Sequence, residues 1–315
     1  MADEILRVED LSVSYGKGNM ISGVNFTVTK GEIVCFLGES GCGKSTLLKA
    51  IMNIPELETV ITKGKIIFEG KDITSYSDKE IRSMAGKNIG MVLQHLGGAF
   101  NPLRTFEAQF KEALYSHDME YDFEKVKETF AQLNLPDAER IIKSRPYEMS
   151  GGMIQRIAIA MTMILGPELL LCDEPTSALD VTTQKMAMEQ LMNIRELLNT
   201  TILLVTHNPG IPSMMADKVG VMYAGHLVEY GKTHQVLHSP AHPYTKALIG
   251  AIPTFDFKLP KGLEGQPPLN GADMEKCAFS ERCPICKEGH CICGNNPYTL
   301  KEVCKDHCAT CFKRD

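Results

Sequence analysis

Nine consecutive residues, Gly38-Glu39-Ser40-Gly41-Cys42-Gly43-Lys44-Ser45-Thr46, have the types and spacing needed to grip an anion. They read G-x-x-x-x-G-K-S, the pattern of a phosphate-cradling P-loop. Glycines let the backbone curl so that several N–H groups point at one anion. A helix beginning there adds the partial positive charge of its N-terminus. In such a loop Lys44 reaches the β- and γ-phosphates of a nucleotide, and the Ser45 hydroxyl ligates Mg²⁺. The context fits. The β-rich run Ile33-Val34-Cys35-Phe36-Leu37 comes before the loop, and the helical segment Leu47 to Met52 comes after it.

Other chemistry-bearing residues follow in order. Leu169-Leu170-Leu171-Cys172-Asp173-Glu174 is an apolar run ending in two acids, the signature of a buried parallel strand that delivers carboxylates at its C-terminal end. Asp173 is placed to hold Mg²⁺, directly or through water, and Glu174 to orient and deprotonate a water molecule. Thr201 to Thr206 forms a second buried strand ending at His207, which can donate to a γ-phosphate. Ser150-Gly151-Gly152 opens a helix through Met161, where small residues allow close approach to a phosphate and Ser150 is also an ordinary N-cap. Gln94, just past the strand Ile89 to Leu93, can offer its amide to Mg²⁺ or to water. Tyr15, upstream of the P-loop, can stack on adenine.

The elements that must position these groups alternate between strand and helix. Residues 5–32 read as β-rich, with strands at Ile5 to Val8 and Val24 to Val28 and a Lys30-Gly31 turn. Residues 105–165 read mostly as helix. There Phe123, Val126, Phe130 and Leu133 mark a packed face. A further helix runs through Met192 and Leu198.

Composition sets bounds on function. In 315 residues, 43% are hydrophobic and 23% charged, ordinary for a globular chain. The net charge of −6 disfavours a general nucleic-acid binder. No apolar run approaches the roughly 20 residues a membrane helix needs. Met1-Ala2-Asp3-Glu4 lacks a signal-peptide profile, so the expected compartment is the cytoplasm, with any membrane role exerted through a partner. Eight of eleven cysteines crowd between Cys277 and Cys311 with the spacing C-x5-C-x2-C-x4-C-x-C-x10-C-x3-C-x2-C. In a reducing compartment this reads as a metal site, for zinc or an iron–sulfur cluster, and two four-cysteine zinc sites are arithmetically possible. A metal can fold a short tail that lacks a core of its own.

Taken together and in this order, the motifs resemble the ATP-binding subunit of an ABC transporter from Ile5 to about Gly231. The resemblance implies an α/β P-loop NTPase fold: an ABC cassette with a RecA-like core, an antiparallel β subdomain and a helical subdomain at about 97–165. The cassette would span 1–240, followed by a small Cys-rich C-terminal extension at 241–315 whose metal-binding tail is 277–311. It implies that Gly38 to Thr46 is the Walker A loop, Tyr15 the adenine-stacking aromatic and Gln94 the Q-loop residue. Ser150-Gly151-Gly152 becomes the signature, Asp173 and Glu174 Walker B, Asp180 a D-loop residue and His207 the switch histidine. Two cassettes would close head-to-tail, so that Ser150 serves the nucleotide held by the partner.

Where the common signature has Leu and Gln, this chain has Met149 and Met153. Gly-Gly-Met followed by Gln155-Arg156 resembles the oligopeptide, dipeptide and nickel importer branch. So do Pro175 to Thr182, His242 to Leu248, Gly265 to Pro268 and Arg282-Cys283-Pro284. Ala99 to Leu103 and Glu148 to Met153 look like the nickel members, while the cysteine tail looks like the peptide members. The peptide resemblance implies one [4Fe–4S] cluster on Cys277, Cys283, Cys291 and Cys311. Cys286, Cys293, Cys304 and Cys308 exceed that pattern, and zinc stays open. The implied activity is ATP hydrolysis with Mg²⁺, powering import of peptides or of nickel or metal chelates from the cytoplasmic face of the membrane. The implied partners are a related second ATPase, two permease subunits and, indirectly, an extracytoplasmic solute-binding protein. Rival readings are a soluble ABC ATPase of iron–sulfur assembly and a metal-sensing module.

Overall fold

A computed structural model describes residues 3–14, 18–54, 59–92, 100–175, 181–251, 263–268, 275–289 and 297–312. The chain divides into two compact units, Met1–Asp78 with Leu203–Asp315, and Lys79–Ile202. In chain order the strands are β1 (Glu4–Ser14), β2 (Asn19–Thr29), β3 (Ile33–Leu37), β4 (Val60–Phe68), β5 (Lys71–Asp72), β6 (Ile89–Val92), β7 (Leu169–Asp173), β8 (Thr201–Thr206), β9 (Lys218–Tyr223), β10 (His226–Lys232), β11 (Lys301–Cys304) and β12 (His307–Ala309).

The first unit holds two sheets. One is antiparallel, in the order β2-β1-β4-β5. β2 alternates, with Val24, Phe26 and Val28 buried and Asn25 and Thr27 exposed, while register shifts in β1 leave Ile5, Leu6, Val8, Leu11, Ser12 and Val13 all buried. The alternation is the pattern of a sheet with one face on a core. The other sheet runs β11-β12-β10-β9-β3, with β8 beside β3. The pair β3 and β9 is parallel, with Cys35 opposite Val219 and Phe36 opposite Gly220. All five residues of β3 are buried, as expected of a parallel strand covered on both faces. Gly220 leaves space for the Phe36 ring, whose carbons lie 2.6 Å and 2.7 Å from where a Cβ would stand.

The C-terminal region belongs to this first unit. β12 pairs antiparallel with β10, Tyr230 opposite Cys308, and β11 pairs with β12. Tyr244, Phe279 and Cys283 join Tyr223, Val221 and Val236 in one apolar cluster, bordered by Cys277 and Cys286. Sheet extension and aromatic packing therefore order the tail, sources of stability that no local pattern in the cysteine-rich sequence advertises.

In the second unit β6 and β7 pair in parallel, Gly90 opposite Leu170. Helices Phe106–Tyr115, Phe123–Gln132 and Ala138–Lys143 each start on a side-chain cap, from Thr105, Asp122 and Asp137. The expected stripe on the second is buried at Val126, Phe130 and Leu133, and partly at Phe123. The Gly151–Leu165 helix stops at Gly166, a left-handed C-cap.

Candidate nucleotide site

The first unit holds the glycine-rich loop. β3 runs into the loop, and Gly43 (φ 101°) caps the Lys44–Met52 helix, accepting from the Leu47 N–H at 2.9 Å. A Cβ on Gly43 would stand 2.5 Å from Ile21 Cγ2, so only glycine fits there. The Lys44 side chain is buried and folds back over the loop. Its ammonium donates to the carbonyls of Gly38 at 2.8 Å and Glu39 at 2.9 Å, with Cys42 Sγ 3.7 Å away. This geometry presets a cation at the centre of a glycine-shaped turn. Burial pushes the Cys42 thiol up, outweighing the opposite pull of Lys44, so Cys42 is packing and not a nucleophile. Ser45 and Thr46 lie in the first helical turn, Ser40 and Gly41 at the loop's crown. His207 follows β8 directly and is exposed, next to the tight turn in which the Asn208 N–H donates to Thr206 Oγ1 at 3.0 Å.

The second unit supplies the acids and the glycine-rich helix start. Asp173 ends β7 and is buried. Glu174 follows with φ 45°, a left-handed conformation for a residue that has no local reason to adopt it. Such strain, costing about 1–3 kcal/mol, persists where surrounding structure enforces it and collects at functional positions. Ser150 caps the Gly151–Leu165 helix, accepting from the Met153 N–H at 3.4 Å. Inside that helix the buried Gln155 amide donates to the Pro175 carbonyl, tying the helix to the residue after Glu174. Among the described residues, nothing lies within 4 Å of where a Cβ on Gly151 or Gly152 would stand.

Within the first unit the structure brings together Gly38, Glu39, Cys42, Gly43 and Lys44. Within the second it ties the Gly151–Leu165 helix to the end of β7. Tyr15, Gln94 and Asp180 lie outside the described residues, as do Cys291 and Cys293. Among the described residues no three Cys, His, Asp or Glu side chains come together as a metal-holding group. Cys283 and Cys311 are buried, Cys277, Cys286 and Cys308 partly so, and Cys304 is exposed and accepts from Gln235 Nε2 at 3.4 Å. The thiols suit iron or zinc by their chemistry, but those described do not assemble the expected ligand set. Sequence reasoning missed Arg282 and Tyr244, which touch the P-loop at Glu39. The only signal for them was membership in the Arg282-Cys283-Pro284 and His242 to Leu248 motifs.

Comparison with known proteins agrees with this geometry. The ABC transporter family model matches residues 21–177, and the model for the oligopeptide/dipeptide transporter C-terminal region matches residues 228–291. The dipeptide transport ATP-binding protein DppD of Bacillus subtilis is 38% identical over 292 residues, covering 90% of this chain and 87% of its own. The oligopeptide transport ATP-binding protein OppD of Salmonella typhimurium is 35% identical over 325 residues, covering 99% and 94%. Among solved structures, cbiO1 of Clostridium perfringens, part of an ABC transporter complex, superposes with TM-score 0.65 at 27% identity, covering 75% of this chain and 92% of its own. A dimeric ATP-binding cassette in a post-hydrolysis state with ADP and Pi superposes with TM-score 0.63 at 24% identity, covering 73% and 99%, and shares the fold. The chain has the ABC cassette fold and belongs to the family of ATP-hydrolysing, ATP-binding subunits of oligopeptide and dipeptide ABC transporters.

Proposed function

We propose that this chain powers an importer of dipeptides or oligopeptides, acting as a peripheral subunit on the cytoplasmic face of the membrane. The observation that carries the reading is the P-loop: a buried strand, a turn shaped by glycine, and a lysine held over that turn at the start of a helix. Relatives named for dipeptide and oligopeptide transport support the cargo class and favour a transporter over a free-standing ATPase of iron–sulfur assembly. Nickel or another metal chelate is the second cargo reading, favoured by Ala99 to Leu103 and Glu148 to Met153. Among the described residues no helix is long and apolar enough to cross a membrane. In this reading two permease subunits carry the translocation path.

Ser45, Gln94 and Asp173 offer a hydroxyl, an amide and a carboxylate, an all-oxygen donor set that suits Mg²⁺. When bound, Mg²⁺ neutralises charge on the β- and γ-phosphates. Lys44 and the loop N–H groups hold the γ-phosphate and stabilise the charge that develops as water attacks in line. Glu174 orients that water and takes its proton, and His207 donates to the γ-phosphate. Tyr15 stacks on adenine. Ser150, Gly151 and Gly152 serve the nucleotide of a second, related but non-identical cassette. The open space at both glycines supports this role, since packing among the described residues does not require their small size. Asp180 is assigned the D-loop role, and Gln94 with the helices after it the role of passing closure to the permeases.

The cysteine tail is read as the holder of a [4Fe–4S] cluster on Cys277, Cys283, Cys291 and Cys311, with zinc as the alternative. Thiolate chemistry and the density of cysteines between Cys277 and Cys311 support it. No step of hydrolysis runs through it. The ATPase assignment is tested by Glu174→Gln, which leaves MgATP binding intact and lowers turnover about 10²–10⁴-fold. Wild-type turnover in that variant removes Glu174 from its role. The cargo is tested by identifying the solute-binding protein and permeases that purify with the chain.

A further inference from the structure

A partly buried ion pair joins the C-terminal region to the P-loop across 243 positions of sequence. The Arg282 guanidinium meets the Glu39 carboxylate with both terminal nitrogens, Nη1 to Oε2 at 2.7 Å and Nη2 to Oε1 at 2.9 Å. The Arg282 side chain is 5% exposed. Two further donors are engaged: Nε with the Glu264 carbonyl at 2.9 Å, and Nη1 again with the Tyr223 hydroxyl at 3.2 Å. The Glu39 backbone N–H donates to the Tyr244 hydroxyl at 3.1 Å. Tyr244 and Tyr223 stand with ring centroids 4.5 Å apart, and both pack on Phe279. Glu39 is therefore gripped at its side chain by Arg282 and at its N–H by Tyr244. Its carbonyl is one of the two on which the Lys44 ammonium rests, the other being that of Gly38.

We infer that Arg282 and Tyr244 are positioning residues for ATP binding: the C-terminal region holds the Glu39 peptide, and that peptide sets where Lys44 stands. Neither residue touches nucleotide in this scheme. A bidentate arginine fork fixes the carboxylate in direction as well as distance, which a point charge does not. With the grip released, the Gly38 and Glu39 carbonyls can turn and the ammonium loses its fixed seat. The cost falls on nucleotide affinity. Chemistry at saturating nucleotide depends on Glu174 and changes little. The C-terminal region thereby becomes a determinant of the ATP concentration at which the motor runs.

The inference rests on the P-loop as the nucleotide site, and the experiment separates the two. MgATP is titrated against the full-length wild type, Arg282→Gln, Arg282→Lys, Glu39→Gln, Tyr244→Phe and the Arg282→Gln/Glu39→Gln double variant. Steady-state ATPase is measured on the same proteins assembled with their permeases. Arg282→Gln is expected to raise Kd and KM for MgATP about tenfold, the worth of one charge-assisted fork, with kcat within about twofold. Arg282→Lys falls between the two. The double variant is no weaker than either single, because both remove one interaction. Tyr244→Phe deletes only the hydroxyl and carries the test should Arg282→Gln fail to fold. It is expected to raise Kd about threefold. Unchanged Kd in Tyr244→Phe and Arg282→Lys, or additive losses in the double variant, overturn the proposal. Wild-type protein that binds no MgATP overturns the nucleotide site itself.

Discussion

His307 on β12 donates through Nε2 to Glu229 on β10 over 2.7 Å, with both side chains withdrawn from solvent. The same carboxylate accepts the N–H groups of Ala241 and His242, each at 2.8 Å. One buried acid thus fastens the tail strand and the start of the Pro243–Gly250 helix to the sheet. Removing one partner of such a group leaves a buried charge undersatisfied. His307→Ala is expected to cost about 1–3 kcal/mol in denaturant unfolding. It is also expected to speed amide exchange at Cys308 and Ala309 before any change appears at β3.

His242 gives the fold an acid limb. Its Nδ1 accepts the Tyr244 N–H at 3.1 Å, so that nitrogen carries no proton. Burial holds its pKa down to about 4, against the upward pull of Glu229. In the unfolded chain the imidazole titrates near about 6.5. Between these values the unfolded state binds a proton that the native state refuses, so stability falls as pH falls. The slope is at most about 1.4 kcal/mol per pH unit and flattens below the native value. His242→Asn keeps a capping side chain and removes that slope. Urea midpoints from pH 7 to pH 4 check it.

Two glycines of the P-loop are expected to respond differently to a methyl group. At Gly38 (φ 157°) a Cβ would stand 2.3 Å from the Met222 carbonyl oxygen and 2.7 Å from Cys42 Sγ. At Gly41 (φ 78°) nothing lies within 4 Å. Gly41→Ala costs backbone strain of about 1–2 kcal/mol. Gly38→Ala adds a backbone clash of about 1–3 kcal/mol and pushes the loop off β9. MgATP titration and thermal unfolding are expected to rank Gly38→Ala below Gly41→Ala in both affinity and stability.

Gln155→Leu leaves the Pro175 carbonyl without its buried donor. The expected loss is about 1–3 kcal/mol of stability. Because Pro175 follows the strained Glu174, turnover is expected to fall more than MgATP affinity, measured as separate changes in kcat and KM.

What the sequence made legible was local. The strand–loop–helix around Lys44, the acids ending β7 and the Ser150 cap are each written in a short run of residues whose periodicity and turn chemistry point one way. The Arg282–Glu39 fork and the His307–Glu229 contact bring together residues 243 and 78 positions apart, and no local pattern on either side says which residue it will meet. β11 and β12, of 4 and 3 residues, are too short for alternation to show, and their cysteines point to metal chemistry before strands. The positive φ of Glu174 was hidden because glutamate is not a residue that signals a left-handed turn.

The short hairpin of β11 and β12 is the last layer of its sheet. Four residues, two of them the exposed Lys301 and Glu302, make a poor template for another chain. β10 behind them is seven residues long and buried along most of its length. Without the hairpin its bare ladder of N–H and C=O groups would invite self-association, so the tail also works as a stopper that keeps neighbouring copies from zipping together.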